Sequence, residues 1–175
     1  MAKKRIVVTG ACGYIAQRMW PELSQRYDLV ALDVGEMTGN GTKLSGVRVC
    51  DLTDPDRSKY QEHFVDADAV LHCAFVSAPG LDATTWQNNS DAKFQAEYAN
   101  VGMAYNVYTA AQEAGVRRVV VASSNHAADY YERLIWAERF EFVTPEMAPY
   151  TDNFYGGSKV AYEQLGFVFA TGQVG

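Results

Sequence analysis

The sequence is poor in cysteine, histidine and clustered positive charge, and each shortage removes a class of protein. The three cysteines, Cys12, Cys50 and Cys73, are odd in number and lack paired spacing, which argues against a disulfide framework. The three histidines lie far apart, so we predict no metal site. The 15 Lys and Arg residues are scattered and are outnumbered by 21 Asp and Glu, which gives a net charge of −6. Nucleic-acid binding needs clustered basic residues, so we expect no nucleic-acid partner.

Long apolar runs are also missing. The run that follows Lys3-Lys4-Arg5 ends at Thr9-Gly10, which is too short for a secretory signal, and no other run approaches membrane-spanning length. We therefore predict a cytoplasmic protein without a membrane partner. The 175 residues, 48% of them hydrophobic, are enough for about one domain with a real core.

Apolar strands alternate with helical segments along the chain. We predict strands at Arg5–Thr9, Asp28–Asp33, Val47–Cys50, Ala67–Phe75 and Arg118–Ala122. Helices are predicted after the first strand, from Asp54-Pro55 to Phe64, over Asp91–Ala114 and over Asn153–Thr171, with a long polar and aromatic loop before the last one. This alternation indicates one α/β domain over residues 1–175, with a doubly wound parallel sheet of the Rossmann type. Because the fifth strand is apolar throughout, we expect it to be central in the sheet or covered on both faces.

A glycine turn joins the first strand to the first helix. Gly10 permits a tight turn, Gly13 lets the backbone approach a pyrophosphate, and the small Ala16 lets the helix lie close to the sheet. Such glycines can also serve packing alone. Asp33, about 20 residues further on at the end of the second strand, is placed to hold the hydroxyls of an adenosine ribose. A 2′-phosphate beside this carboxylate would be repelled, so we predict NAD rather than NADP as the cofactor.

Tyr155 and Lys159 stand one helical turn apart at the start of the last helix. A lysine ammonium beside a phenol favours the phenolate, which can take a proton from an alcohol as hydride leaves for a nicotinamide. Such a pair arises readily by chance in a chain with 11 tyrosines. Ser124 strengthens the interpretation, because it follows the fifth strand at the sheet edge where doubly wound proteins bind ligands and could position the reacting oxygen.

Taken together, these motifs resemble the extended short-chain dehydrogenase/reductase family, which includes the NAD-dependent sugar epimerases and dehydratases. The resemblance covers essentially all 175 residues. It rests on Thr9-Gly10-x-x-Gly13-x-x-Ala16, Asp51-Leu52, His72-Cys73-Ala74, Asn100-Val101 with Gly102, Ser124 and Tyr155-x-x-x-Lys159. Within the family, "ASSNH" followed by "YY", together with Ser77, is most similar to the uronate dehydrogenases, which oxidise the C1 hydroxyl of a hexuronic acid with NAD.

The resemblance implies a role for each matching residue. The catalytic set would be Tyr155 as acid/base, Lys159 as its modifier and ribose ligand, and Ser124 as a hydrogen-bond donor. Substrate contacts would come from Ser77, Ser124, Asn125, His126 and Tyr155. Cofactor contacts would come from Gly10, Gly13, Tyr14, Ile15, Asp33, Asp51, Leu52, Cys73, Ala74, Asn100, Tyr155 and Lys159. His72 is interpreted as a packed strand-end histidine.

Three interpretations of the function stay open at this point. A dehydrogenase acting on a sugar or sugar acid is favoured, an epimerase or dehydratase that retains its NAD is the nearest rival, and a non-catalytic NAD-binding protein is the third. Family members pair through two helices, which predicts a homodimer through residues 91–114 and 153–171. The family continues with a sixth strand and a substrate-binding region that this chain lacks, so we expect its fifth strand to be an edge.

Overall fold

The computed structural model describes residues 2–77, 89–139 and 141–172, which form two compact units. The first unit consists of residues 2–75 and 103–122. The second consists of residues 76–77, 89–102, 123–139 and 141–172.

A five-stranded parallel sheet forms the centre of the first unit. Its strands are β1 (Arg5–Thr9), β2 (Asp28–Asp33), β3 (Arg48–Val49), β4 (Ala69–His72) and β5 (Val119–Val121). They lie in the order β3-β2-β1-β4-β5, and every neighbouring pair is parallel. Helix α1 (Tyr14–Arg26) follows β1, and helix α2 (Ser90–Glu113) precedes β5. The doubly wound parallel sheet predicted from the sequence is confirmed.

The core of the first unit lies around the two central strands. Val7 and Val8 of β1 and Val70 of β4 have no exposed surface, because strands of a parallel sheet are buried on both faces. Ala16 of α1 is equally buried and packs in a cluster with Val8 and four further small or branched side chains. These are Ala11 and Cys12 of the turn, Ala31 of β2 and Val47 just before β3. A small residue at position 16 thus lets α1 lie close to the sheet, as predicted.

Strand β5 is an edge of the sheet among the described residues, as predicted. Val120 pairs with Leu71 of β4, and 51% of its surface is exposed. The expectation that this strand is central in the sheet or covered on both faces is therefore wrong at Val120. An apolar composition shows that a strand can be covered, but the position of the strand in the sheet decides whether it is.

The segment after β3 is not the α-helix predicted from Asp54-Pro55. It forms two short 3₁₀ turns, Arg57–Lys59 and Gln61–Phe64. Local side-chain bonds compete with helix formation here, since the carboxylate of Asp54 accepts from the N–H of Asp56 at 2.9 Å and that of Asp56 accepts from Ser58 at 3.2 Å.

The second unit contains helical structure where we expected a long loop. A 3₁₀ segment, Asn125–Tyr131, leads into the short helix α3 (Glu132–Trp136). Helix α4 (Phe154–Ala170) confirms the predicted last helix. It is capped by Asn153, whose Oδ1 accepts from the N–H of Gly156 at 2.8 Å.

Three further observations apply to the described ranges alone. No helix there is both long and apolar enough to cross a bilayer. The three cysteines are free thiols. No group of three His, Cys, Asp or Glu side chains is arranged to hold a metal ion in this part of the chain.

Candidate functional site

The turn between β1 and α1 depends on Gly10. Its φ is +65°, and a Cβ at this position would lie 2.6 Å from both the N and the Cα atoms of Ala74. The N–H of Gly13 donates to the carbonyl of Gly10 at 2.9 Å, and the Gln17 Nε2 donates to the carbonyl of Ala11 at 2.6 Å. A glycine is therefore required at position 10 by conformation and by close approach, as the sequence predicted.

The start of α1 is suited to an anion. No side chain caps this helix, in contrast to α4, so the amides of its first turn keep their donors for an external acceptor. Tyr14 and Ile15 are exposed at this helix end. Because the positive end of the helix dipole adds to the N–H groups, these residues fit the pyrophosphate of a dinucleotide.

Asp33 borders the same turn. Its Oδ2 accepts from the N–H of Cys12 at 2.9 Å, and its Oδ1 accepts from the N–H of Val34 at 2.7 Å. Each carboxylate oxygen can accept more than one hydrogen bond, so both remain able to accept from ribose hydroxyls. Nearby, burial and the charge of Asp33 raise the pKa of the Cys50 thiol to about 11, so this cysteine stays neutral.

The carboxyl ends of β3 and β4 carry the remaining residues that the resemblance assigned to the cofactor in this unit. Asp51 Oδ1 accepts from the N–H and the hydroxyl of Thr53 at 2.9 and 2.7 Å, whereas Leu52 is buried. Cys73 and Ala74 are half-buried, and the N–H of Ala74 donates to Thr9 Oγ1 at 3.3 Å.

His72 is packed at the carboxyl end of β4. It has 1% of its surface exposed, and its Nδ1 lies 2.7 Å from Thr9 Oγ1. The interpretation of His72 as a packed strand-end residue agrees with this position.

The side chain of Asn100 binds the backbone of Val76 in the second unit. Its Oδ1 accepts from the N–H of Val76 at 2.8 Å, and its Nδ2 donates to the carbonyl of Val76 at 2.9 Å and to Glu97 Oε2 at 3.3 Å. Asn100 has no exposed surface, so no atom of it can touch a ligand in this structure. The contact of Asn100 with the cofactor stays a prediction, and in this structure the side chain binds the backbone of Val76.

Tyr155 and Lys159 lie together on α4. The Lys159 Nζ is 5.4 Å from the ring centroid of Tyr155 and 4.3 Å from that of Tyr162. Lys159 is 4% exposed, whereas Tyr155 is half-buried. The charge of this buried ammonium is little screened by water, and Lys159 lies over the ring of Tyr155. The predicted shared face of the helix is confirmed for this pair.

The segment after β5 brings His126 against Tyr155. Ser124 Oγ accepts from the N–H of His126 at 3.2 Å, which caps the 3₁₀ segment. The imidazole of His126 meets the Tyr155 ring edge-on, with 5.5 Å between centroids and 70° between planes. Both rings line an open cleft of about 800 Å³ in this unit. Ser77 and Asn125 are exposed and are not among the described residues that line this cleft.

Three residues of this region were not predicted from the sequence. Gly156 allows α4 to pack closely against the segment that contains His126. A Cβ at this position would lie 2.1 Å from the carbonyl oxygen of His126 and 2.2 Å from Thr151 Oγ1. Asp129 and Asn153 form hydrogen bonds beside His126 and at the start of α4. The only available signal for Gly156 was the pair of glycines at a helix start, where helix propensity disfavours them.

Comparison with known proteins identifies the family of this chain. Residues 6–171 match the family model for the NAD dependent epimerase/dehydratase family. The chain belongs to this family. The prediction of an extended short-chain dehydrogenase/reductase is confirmed, and so is NAD as the cofactor on which the family depends.

The chain is similar to several sugar dehydrogenases. It is 32% identical to an L-arabinose 1-dehydrogenase (NAD(P)(+)) of Haloferax volcanii, over 95% of this chain and 61% of the relative. It is 30% identical to a uronate dehydrogenase of Pseudomonas syringae pv. tomato, over 92% and 52%. A solved complex with NAD of a uronate dehydrogenase mutant from Agrobacterium tumefaciens has a TM-score of 0.69 at 26% identity, covering 97% of this chain and 57% of that one. The chain thus spans little more than half the length of the relatives it matches.

Proposed function

We propose that the protein is an NAD-dependent dehydrogenase that oxidises the C1 hydroxyl of a sugar or sugar acid. The observation that supports this most directly is the placement of Tyr155, with Lys159 beside it and His126 against its ring, on the wall of an open cleft. Relatives named as sugar dehydrogenases point to the same class of substrate.

In this proposal the residues of the second unit handle the proton and the oxygen of the substrate. The phenol oxygen of Tyr155 takes the hydroxyl proton while the C1 hydrogen leaves as hydride. The ammonium of Lys159 stabilises the phenolate that accepts this proton, and Ser124 Oγ donates a hydrogen bond to the reacting oxygen. NAD supplies the hydride acceptor.

The residues of the first unit bind the cofactor. The amides at the start of α1, next to Gly13, hold the pyrophosphate, and Asp33 accepts hydrogen bonds from the ribose hydroxyls. Tyr14, Ile15, Asp51, Leu52, Cys73 and Ala74 line the same site in this proposal. Asp33 favours NAD over NADP by repelling a 2′-phosphate, a preference to be tested because one relative is named for both cofactors.

The proposed assembly is a homodimer formed by two copies of this chain through α2 and α4. Phe94 and Tyr98 of α2 and Phe154 and Phe167 of α4 are exposed, and the first three surround an apolar groove. Burying such a patch in a symmetric contact is a common way to form a dimer. Light scattering at tens of micromolar should report a dimer, and only monomer would contradict this assignment.

A dehydrogenase screen tests the proposed function. Aldoses and uronic acids are offered with NAD to the longest natural form of the protein, and NADH formation is followed. We expect NADH from at least one sugar. A protein that keeps NAD through purification and interconverts sugars without net NADH would be an epimerase, and one that binds NAD but is inert toward every sugar would be non-catalytic.

A further inference from the structure

Asp129 lies beside His126 in a hydrogen-bond network that the proposed reaction does not use. The His126 Nδ1 is 2.5 Å from Asp129 Oδ2. A carboxylate only accepts hydrogen bonds, so Nδ1 carries the proton and the other ring nitrogen, Nε2, stays available to a ligand. The side chain of Asp129 is 19% exposed and that of His126 is 50% exposed, which leaves the imidazole accessible while its partner is largely enclosed.

The same carboxylate connects the imidazole to the helix that carries Tyr155. Asp129 Oδ2 also accepts from Asn153 Nδ2 at 2.8 Å, and Asn153 Oδ1 accepts from the N–H of Gly156 at 2.8 Å. The His126 backbone packs against Gly156, where a side chain would not fit. His126 is therefore held in two places, at a ring nitrogen by Asp129 and at its backbone by the packing against Gly156.

We propose that Asp129 is a positioning residue that fixes the orientation and the tautomer of His126 against Tyr155. This inference rests on the proposed function. In its neutral form, with the proton fixed on Nδ1, the imidazole presents Nε2 as a hydrogen-bond acceptor in the cleft. The ligand it suits is a hydroxyl of a sugar, which donates a hydrogen bond to Nε2 while the neighbouring hydroxyl reacts at Tyr155. Asp129 also borders the cleft, but its carboxylate is engaged by His126 and Asn153, and in this proposal it acts through the imidazole.

A double-mutant cycle separates this role from a structural one. The four proteins are the wild type, Asp129→Ala, His126→Ala and the double variant, and kcat/KM is measured for the sugar found in the screen. We expect Asp129→Ala to lower kcat/KM about tenfold in the wild type and less than about twofold in the His126→Ala protein, because no imidazole is left to orient. NAD affinity should stay within about twofold. An equal loss in both backgrounds, or no loss in the wild type, overturns the proposal.

Two further variants sharpen this test. Asp129→Asn should recover part of the activity, since its amide oxygen still accepts from Nδ1–H. Glu132→Ala is the control: Glu132 is an exposed carboxylate at the start of α3, close to Asp129 in the chain, and is not among the described residues that line the cleft. We expect its kcat/KM to stay within about twofold of the wild type. A loss as large as that of Asp129→Ala would assign the effect to the removal of any nearby carboxylate and contradict a role through the imidazole.

A measurement that needs no turnover keeps this inference separate from the proposed function. Nitrogen-15 NMR of the histidine side chains should show the neutral His126 ring protonated on Nδ1 in the wild type and a mixture of tautomers in Asp129→Ala. A neutral ring protonated on Nε2 in the wild type overturns the proposal. Lack of sugar oxidation with the Nδ1 tautomer intact would instead contradict the proposed function alone.

Discussion

Replacing Gly156 by alanine adds a Cβ atom where the second unit has no room for one. The added atom would lie 2.1 Å from the carbonyl oxygen of His126 and 2.2 Å from Thr151 Oγ1. The threonine hydroxyl can turn away, whereas the carbonyl belongs to the backbone of the 3₁₀ segment. That segment must therefore move away from α4, and His126 must move with it.

The cost follows from two opposing contributions. Alanine in place of a helical glycine gains about 1 kcal/mol of helix propensity. Overpacking costs about 1–3 kcal/mol, and the upper part of that range applies because a backbone atom is the obstacle. We expect the free energy of unfolding to fall by about 2 kcal/mol, which for a chain of this size lowers Tm by about 4–8 °C.

Gly157→Ala is the matched control for this experiment. Its Cβ would meet only Thr151 Cγ2, at 3.9 Å, which is ordinary contact. Its propensity gain of about 1 kcal/mol should raise Tm by about 2–4 °C. The assay is thermal unfolding followed by circular dichroism, with sugar oxidation measured on the same samples. A Gly156→Ala protein as stable and as active as Gly157→Ala would refute the close packing of His126 on α4.

Three other predictions concern the first unit. Gly10→Ala places a Cβ 2.6 Å from the backbone of Ala74 at a φ of +65°, so it should lower the free energy of unfolding by about 3 kcal/mol and abolish NAD binding. Gly35→Ala is the control, because its Cβ meets nothing within 4 Å, and it should change the free energy of unfolding by less than about 0.5 kcal/mol. Calorimetric titration should show that NAD binds at least about tenfold more tightly than NADP. Asp33→Ala should reduce this preference, and equal affinities in the wild type would contradict the proposed role of Asp33. Burial raises the pKa of Tyr60 from 10.0 to about 12, so its neutral form contributes stability that is present below the first value and lost as pH rises through the second. Urea unfolding at about pH 9 and about pH 11 should show a smaller alkaline loss for Tyr60→Phe than for the wild type, and equal losses would refute this assignment.

The sequence was sufficient to predict the sheet of the first unit and the turn after its first strand. Short β-branched runs separated by helical periodicity define a parallel sheet, and the strand-to-helix turn at Gly10 is visible because conformation and packing both demand glycine there. The spacing of Tyr155 and Lys159 also predicted their shared helix face, since residues one turn apart are neighbours on a helix.

The contacts around the candidate site could not be predicted in the same way. Asn100 looks like a polar residue ready for a ligand, but both of its amide groups bind the backbone of Val76. The role of Gly156 depends on the carbonyl of His126, which is distant in the chain. Asp129 is an ordinary polar residue until folding places it between His126 and Asn153. Such contacts arise from tertiary structure, which composition and spacing do not encode.

The helix predicted after β3 was wrong for a different reason, and two 3₁₀ turns stand in its place. Asp54-Pro55 has the composition of a helix start, yet Asp54 and Asp56 bond to the N–H groups two residues ahead of them. Tyr60 then leaves the helical region with a φ of −147°. Aspartates favour helix caps and isolated turns equally well, so the same residues support two local structures.

The acid/base role proposed for Tyr155 is tested most directly by the rate of hydride transfer in Tyr155→Phe, measured in a single turnover with NAD and the sugar identified by the screen. The account predicts a fall of about 10²–10⁴ in this rate with NAD affinity nearly unchanged, because the proton acceptor alone is removed. Tyr150→Phe, an exposed tyrosine of the same unit, serves as the control and should react at the wild-type rate. A near-normal rate for Tyr155→Phe would contradict the account.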